Sequence, residues 1–288
     1  MLRSLSSAIS GLQSFQQKMD VIGDNIANVN TTAFKSARVG LANSFSQTLR
    51  SSSAATGGNS GTTAMQIGLG VTVQSINNLF TQGAFARTNI GTDLAITNNG
   101  FFVVRDTLSN DQFVTRAGDF SLDENGNLIT ATGLRVQGYN DAALTTIGDI
   151  TIDTTGMPAT SDPLATMVSF AIGTDGKINV NLSDGTQFVR GQILLQNFSN
   201  PEALMKEGNN LYSGIGAAGP LGGAGAPTPA PPGTNGLGSV QAGALELSNV
   251  DLATEFTNMI ITQRAYQANA RVVTTSDEML QELVNLKR

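Results

Sequence analysis

The sequence predicts a mixed α and β protein in which long N- and C-terminal helices bracket a mainly antiparallel β domain. Three observations carry that expectation. Apolar residues recur at steps of three and four over residues 2–29, and again over residues 252–284. Between these runs the apolar period changes to two, the signature of half-buried strands. Turn-forming pairs such as Asn125-Gly126, Asp175-Gly176 and Asp184-Gly185 punctuate the middle.

The first run places Leu2, Leu5, Ile9, Leu12, Phe15, Met19, Ile22, Ile26 and Val29 in a near-heptad pattern. This is the pattern of a coiled-coil-style helix, about 42 Å long at 1.5 Å per residue. The run ends in "GDNIANVNTTAFKS", residues 23–36. Asn28 and Asn30 suit the open carbonyls of a helix end and a change of chain direction. Thr31 and Thr32 favour extended backbone beyond it. Phe34 is expected to anchor the following segment against an apolar surface, and Lys35 to be a solvated or inter-subunit charge. Asn28, Asn30, Thr31, Phe34 and Lys35 thus read as a helix-to-linker joint, not a ligand site.

The last run, Leu252, Phe256, Met259, Gln263, Tyr266, Ala270, Val273, Asp277, Leu280 and Val284, also steps by four and three, with Gln263 and Asp277 as polar interruptions. Ser248 or Asn249 is the expected N-cap, with Asp251 and Glu255 in the early turns where the helix dipole favours them. Between the helices, "LAITNNGFFVV", "QFVTRAGDFSLDENGNLIT", "KINVNLSDGTQFV" and "GQILLQNF" read as strands. Residues 51–63 and 214–238 look like linkers because Gly, Ser and Pro dominate them. The resulting division is an N-terminal assembly helix (1–30), an extended connecting region (31–80), a β-rich wall domain (81–238) and a C-terminal assembly helix (239–288).

A helix of this length gains most of its stability from packing its apolar stripe. Two readings of the stripes stand: a two-helix core within one chain, or contacts between copies. Their position at the two ends of the chain, outside the β domain, favours assembly. The candidate self-assembly residues are Leu5, Ile9, Leu12, Met19, Ile22 and Ile26 in the first helix, and Leu252, Phe256, Met259, Tyr266, Val273 and Leu280 in the second.

Composition restricts the chemistry. The chain has no His, Cys or Trp, which removes Ser-His-Asp and Cys-His nucleophiles and the usual zinc and copper sites. A net charge of −6 and few charged residues (13%) argue against nucleic acid as a partner. "DENGNLIT" from Asp123 alternates Asp123, Asn125 and Asn127 like part of a calcium loop, but its flanks read as strands and Asn125-Gly126 is a hairpin turn. "GGNSGTT" lacks the Lys of a phosphate loop. A carboxylate-only or Ser-Lys enzyme stays open; for a hydrolase using two carboxylates no pair stands out, because Asp93, Asp119, Asp123, Asp175 and Asp184 all sit at or beside predicted turns. The expectation is no enzyme, no cofactor, no metal and no small-molecule substrate. No stretch is long and apolar enough to cross a bilayer as a helix. The N-terminus lacks the unbroken apolar core of a signal peptide, so any export is expected to proceed without a cleaved signal.

"MLRSLSSAISGLQSFQQKMDVIGDNIANVNTTAFKSAR" and "SNVDLATEFTNMIITQRAYQANARVVTTSDEMLQELVNLKR" resemble the N- and C-terminal signatures of the bacterial flagellar rod and hook proteins. "MQIGLGV", "TQGAFARTNIGTDLAITNNGFFVV" and "TRAGDFSLDENGNLITATGLRVQGYN" are similar to the inner β domain of that family. The match is close over roughly 1–50, 65–140 and 239–288. The hook pattern is the nearest likeness, in a short form with a single β domain, and the distal rod is the alternative. Ala33 stands where the family phrase usually has Gly, and only the short stretch 141–166 occupies the place where many hook proteins carry an outer domain.

The resemblance implies a structural subunit that self-assembles into a helical tube. Terminal helices would pair as a coiled coil around a central channel, and the β domain would form the wall. A hook would be curved and flexible, carrying torque from rod to filament while export substrates pass through its channel. The implied partners are further copies of the chain, the neighbouring axial proteins (distal rod and hook–filament junction), the hook cap and the type III export apparatus. The implied location is the flagellum, at the cell exterior.

Overall fold

The computed structural model describes residues 2–54, 60–158, 161–162, 164–221 and 228–286. The chain forms two compact units. One comprises residues 1–27, 36–79 and 250–288, and the other comprises residues 28–35 and 80–249.

The first unit contains helix α1 (Leu2–Ala27), helix α2 (Leu252–Leu286) and two antiparallel ribbons. One ribbon pairs Ala37–Asn43 with Val71–Asn78, the other pairs Ser46–Arg50 with Met65–Gly68. The region expected to be an extended connector is therefore largely ribbon. Ser10 and Ser14 of α1 bond the backbone of Val71 at 3.3 Å. Gly11 of α1 faces Asn269 of α2, and Asn25 meets Glu255, so the helices run antiparallel.

α2 starts later than the expected 239. Residues Val240–Ala242 and Ala244–Glu246 are instead strands, paired with Leu94–Ile96 and Phe85–Arg87. The N-cap is Asp251, not Ser248 or Asn249. Its carboxylate accepts from the Ala253 N–H (3.0 Å) and the Thr254 hydroxyl (2.8 Å), which holds the Asp251 carboxyl below its ordinary value. Asn249 is engaged elsewhere, donating to the Thr81 hydroxyl.

The second unit is built on a 12-stranded sheet, antiparallel at every pairing described. Its main core runs through Leu94, Phe102, Phe120, Leu128, Val136, Ile178 and Ile193. A second cluster gathers Phe101, Val114, Phe198 and Tyr212, with the Phe80 ring 5.4 Å from that of Tyr212. The three Asn-Gly and Asp-Gly pairs are turns, with Gly126, Gly176 and Gly185 all in the left-handed region (φ +77°, +77° and +83°). "DENGN" in particular closes by a Gly126 N–H to Asp123 carbonyl bond of 2.8 Å.

Neither presumed linker is plain in its described parts. Around 51–63, Ser53 and Thr62 bridge the two sides of a hairpin, and residues 55–59 lie outside the described set. Within 214–238, Ile215, Ala218 and Leu237 are buried and Ala230 pairs with Leu195 through bonds of 2.9 and 2.8 Å. Gly and Pro there supply turns, while the few apolar side chains fill the core. Residues 222–227 lie outside the described set.

Candidate functional site

The helices and the 28–35 segment hold the residues singled out by sequence, and each belongs to one unit. In the helix unit the face of α1 turned inward is made of small or polar residues: Ala8, Gly11, Ser14 and Asn25 are buried, together with Ile22. A Cβ on Gly11 would sit 2.5 Å from Asn269 Nδ2. On α2 the buried positions are Thr262 and Ser276. Burial lifts the Glu255 carboxyl above its ordinary value, against a hydrogen bond from Asn25. Asn25 also clamps the next strand, donating to the Ala37 carbonyl and accepting its N–H, each at 2.9 Å. No role was assigned to Asn25 from sequence. Its place two residues before the helix end is the available signal.

The predicted stripe lies along the flank of this small-residue face. Only Ile22 of that set is buried. Leu5, Leu12, Met19 and Ile26 on α1 are half-buried, as are Met259, Val273 and Leu280 on α2. Ile9 (43%), Leu252 (38%), Phe256 (50%) and Tyr266 (36%) are exposed. Large apolar side chains therefore remain open along α2 and at Ile9 of α1, while close backbone approach is served by Gly, Ala and Ser.

In the β unit, residues 28–35 fold inward. The Thr31 hydroxyl donates to Asn28 Oδ1 (3.1 Å), and Asn30 is exposed. The Thr32 carbonyl accepts from the Asn210 side chain at 2.7 Å. Ala33 has φ +55° and is fully buried, its N–H bonded to the Glu246 carbonyl (2.8 Å). Phe34 is buried, with the Lys206 ammonium 4.5 Å from its ring centroid.

Lys35 differs most from expectation. Its side chain is fully buried, neither solvated nor offered to another subunit. The ammonium donates to Glu246 Oε1 (2.7 Å) and to the Thr81 carbonyl (2.9 Å). Glu246 Oε1 also accepts the Gly83 N–H (2.9 Å), and Arg116 lies 3.5 Å from Oε2. Arg116 donates to the Asn98 carbonyl (2.7 Å) and stacks 5.2 Å from the Phe101 centroid. Burial pushes the Lys35 ammonium below its ordinary value, with Glu246 acting against the shift. The sequence could not reveal this cluster, because Lys35 and Glu246 are 211 positions apart.

A polar cleft of about 390 Å³ adjoins this segment, lined by Asn28, Thr31, Thr115, Asp119, Asn209 and Asn210 among others. Burial raises the Asp119 carboxyl, with Asp93 adding to the shift. Among the described residues no group of three or more carboxylates gathers as metal ligands would. The geometry is that of packing and hydrogen bonding.

Comparison with known proteins places these features in context. The model described as flagellar basal body rod FlgEFG protein C-terminal matches residues 241–286. That of the flagellar hook protein FlgE/F/G D1 domain matches residues 95–180, and that of the flagella basal body rod protein matches residues 5–35. The chain is 43% identical over 288 residues to the flagellar basal-body rod protein FlgG of Bacillus subtilis (strain 168), covering 100% of both. It is 37% identical to the protein of the same name from Buchnera aphidicola subsp. Schizaphis graminum (strain Sg), covering 99% of this chain and 100% of the relative. Similarity to the flagellar hook protein FlgE of Borreliella burgdorferi (strain ATCC 35210 / DSM 4680 / CIP 102532 / B31) is 27% over 449 aligned positions, covering 100% of each.

Proposed function

Because the chain belongs to the flagellar rod and hook protein family, we propose that it is a distal-rod subunit, self-assembling into a straight tube that carries torque outward from the basal body. One observation carries this choice over the hook: the match to a rod protein runs the whole length of both chains, whereas the hook relative needs 449 aligned positions. The nearest likeness expected from the sequence, the hook, thus gives way to its alternative. A single sheet-based unit without an added outer domain suits a compact, stiff wall.

In this reading α1 and α2 line a central channel, and their open apolar flanks are covered by neighbouring copies. The β unit supplies the wall, braced from inside by its buried charge cluster. The protein acts structurally, without cofactor or substrate. It meets other axial proteins at the two ends of its polymer. Negative-stain microscopy of the concentrated full-length protein tests this reading. Straight tubes are the expected result. Curved tubes would return the assignment to the hook, and the absence of tubes would overturn assembly itself.

A further inference from the structure

In the β unit, Asp93 and Asp119 stand directly opposite each other in an antiparallel bridge. Side chains opposite each other in such a bridge leave the same face, with Cβ atoms roughly 5 Å apart, so the two carboxylates are neighbours. Backbone bonds fix the arrangement. The Asp93 N–H reaches the Ile90 carbonyl (3.1 Å), the Gly243 N–H reaches the Asp93 carbonyl (2.8 Å), and the Leu94 N–H reaches the Gly118 carbonyl (2.9 Å). The two segments are pressed together, since a Cβ on Gly118 would sit 1.7 Å from the Leu94 carbonyl oxygen. Asp93 is only 7% exposed, yet among the described residues no donor bonds its carboxylate and no cation pairs with it or with Asp119. Its oxygens are not among the sealed, unpartnered atoms, which are Arg105 Nε, Arg116 Nε and Gln196 Oε1, so they keep an opening. Arg116, close by in sequence, is committed to Glu246 and the Asn98 carbonyl. Like charges directly opposite destabilise a bridge, and a buried charge is held either by a partner or by a metal ion.

We propose that Asp93 and Asp119 together hold a hard divalent cation, calcium or magnesium, at the edge of the polar cleft that Asp119 lines. The cleft, about 390 Å³, offers oxygen donors and no basic side chain. Asn210 gives its amide N–H to the Thr32 carbonyl (2.7 Å), which leaves its Oδ1 as an acceptor. The Thr130 and Thr132 hydroxyls bond each other (2.9 Å) and retain lone pairs. Such ligands suit calcium and magnesium and not the softer transition metals. Two carboxylates make a partial cage, so the ion keeps several of its waters, as magnesium usually does at one or two carboxylates. The cleft has the volume for them, at about 30 Å³ per water. An ion there neutralises the opposed charges and ties the start of strand Leu94–Ile96 to the start of Phe120–Leu122. With so few charged ligands, the dissociation constant belongs in the weak range of about 0.1–1 mM. The site lies wholly within the β unit, so the isolated monomer binds the ion whether or not the chain assembles.

The test uses dilute full-length protein stripped with a chelator, then given calcium chloride or magnesium chloride alone, with sodium chloride at matched ionic strength as the control. Titration calorimetry is expected to show one ion bound per chain. Roughly 10 mM of the divalent ion is expected to raise the melting temperature by about 3–8 °C beyond the sodium control. Asp93→Asn and Asp119→Asn are each expected to weaken binding about tenfold or more and to remove that rise. In chelator both variants should melt at or above wild type, because each relieves the repulsion between opposed carboxylates, and this also shows that they fold. Asp184→Asn, at a hairpin turn, should leave binding unchanged. Wild type that binds neither ion, or that gains no more from them than from sodium, would overturn the site. Binding that persists undiminished in either Asn variant would overturn the pairing of the two carboxylates. Asn variants that melt well below wild type in chelator would overturn the premise that the pair lacks a counterion.

Discussion

At Lys35 a single residue reverses its sequence reading. In a solvated place its removal would change stability by less than about 0.5 kcal/mol. As the buried partner of Glu246, Lys35→Met should cost about 3–5 kcal/mol by leaving an uncompensated carboxylate. Glu246→Ala should cost at least as much, because it strands Lys35, Arg116 and the Gly83 N–H together. Urea unfolding of the full chain followed by circular dichroism measures both, and a Lys35→Met change under 1 kcal/mol would refute the buried pair. Ala33 poses a different local question. At φ +55° in a fully buried site, Ala33→Val should cost about 2–3 kcal/mol, since a branched Cβ is strained there and has no room. Ala33→Gly should stay within about 1 kcal/mol of wild type, because relief of strain and loss of a buried methyl oppose each other. Asp149 supplies the pH dependence. Burial opposes its ionisation, but bonds from Arg105, Arg135 and Gln137 outweigh this and hold its carboxyl below the ordinary value. Its folded value is depressed, so its contribution is complete above the ordinary carboxylate range near pH 4 and is lost as pH falls through the lower folded value. Asp149→Asn should flatten the acid limb of a stability–pH curve, and an unchanged limb would exclude the role.

At the scale of elements, strands and helices were legible and their faces were not. Period-two runs and Asn-Gly or Asp-Gly turns marked the strands because a half-buried strand must alternate, and each turn needs positive φ. The helices were marked by steps of three and four, but the inward face proved to be the small-residue line through Ala8, Gly11 and Ser14. An apolar-periodicity search passes over Gly, Ala and Ser, although these residues set how closely backbones approach. The strands before α2 were read as helix because they are only three residues long. Close approach also makes a sharp test. A Cβ on Gly238 would sit 1.4 Å from the Thr97 carbonyl oxygen, so Gly238→Ala should separate strand Val240–Ala242 from Leu94–Ile96. The expected loss is at least about 3 kcal/mol in urea unfolding, with early hydrogen exchange at Val240; wild-type exchange there would contradict it.

For the molecule, the division into units was only partly visible. Residues 28–35 precede the ribbons in sequence but belong with the β unit, because Lys35 and Ala33 find their partner in Glu246, far along the chain. Limited proteolysis of dilute monomer should trim the helix unit first and leave a fragment centred on residues 80–249. The reason is that the sheet carries the large core, while α2 exposes most of its apolar side chains and those of α1 are mostly half-buried. Ile22→Asp and Met279→Asp should then differ. Ile22 is 4% exposed, so its change should loosen the helix unit itself, whereas Met279 is 50% exposed and its change should spare the monomer and reduce tube formation. Equal helicity loss in the two variants by circular dichroism would argue against the separation.

The sequence by itself determined the class, the two terminal helices, the strand-and-turn middle and membership of the rod and hook family. Periodicity, turn chemistry and signature phrases are local along the chain and survive without coordinates. Tertiary structure decided which helix face packs inward, that Lys35 is buried, and that residues 28–35 join the β unit. Each of those depends on a partner more than a hundred residues away, and a side chain's burial is set by what folds against it, which no local pattern records.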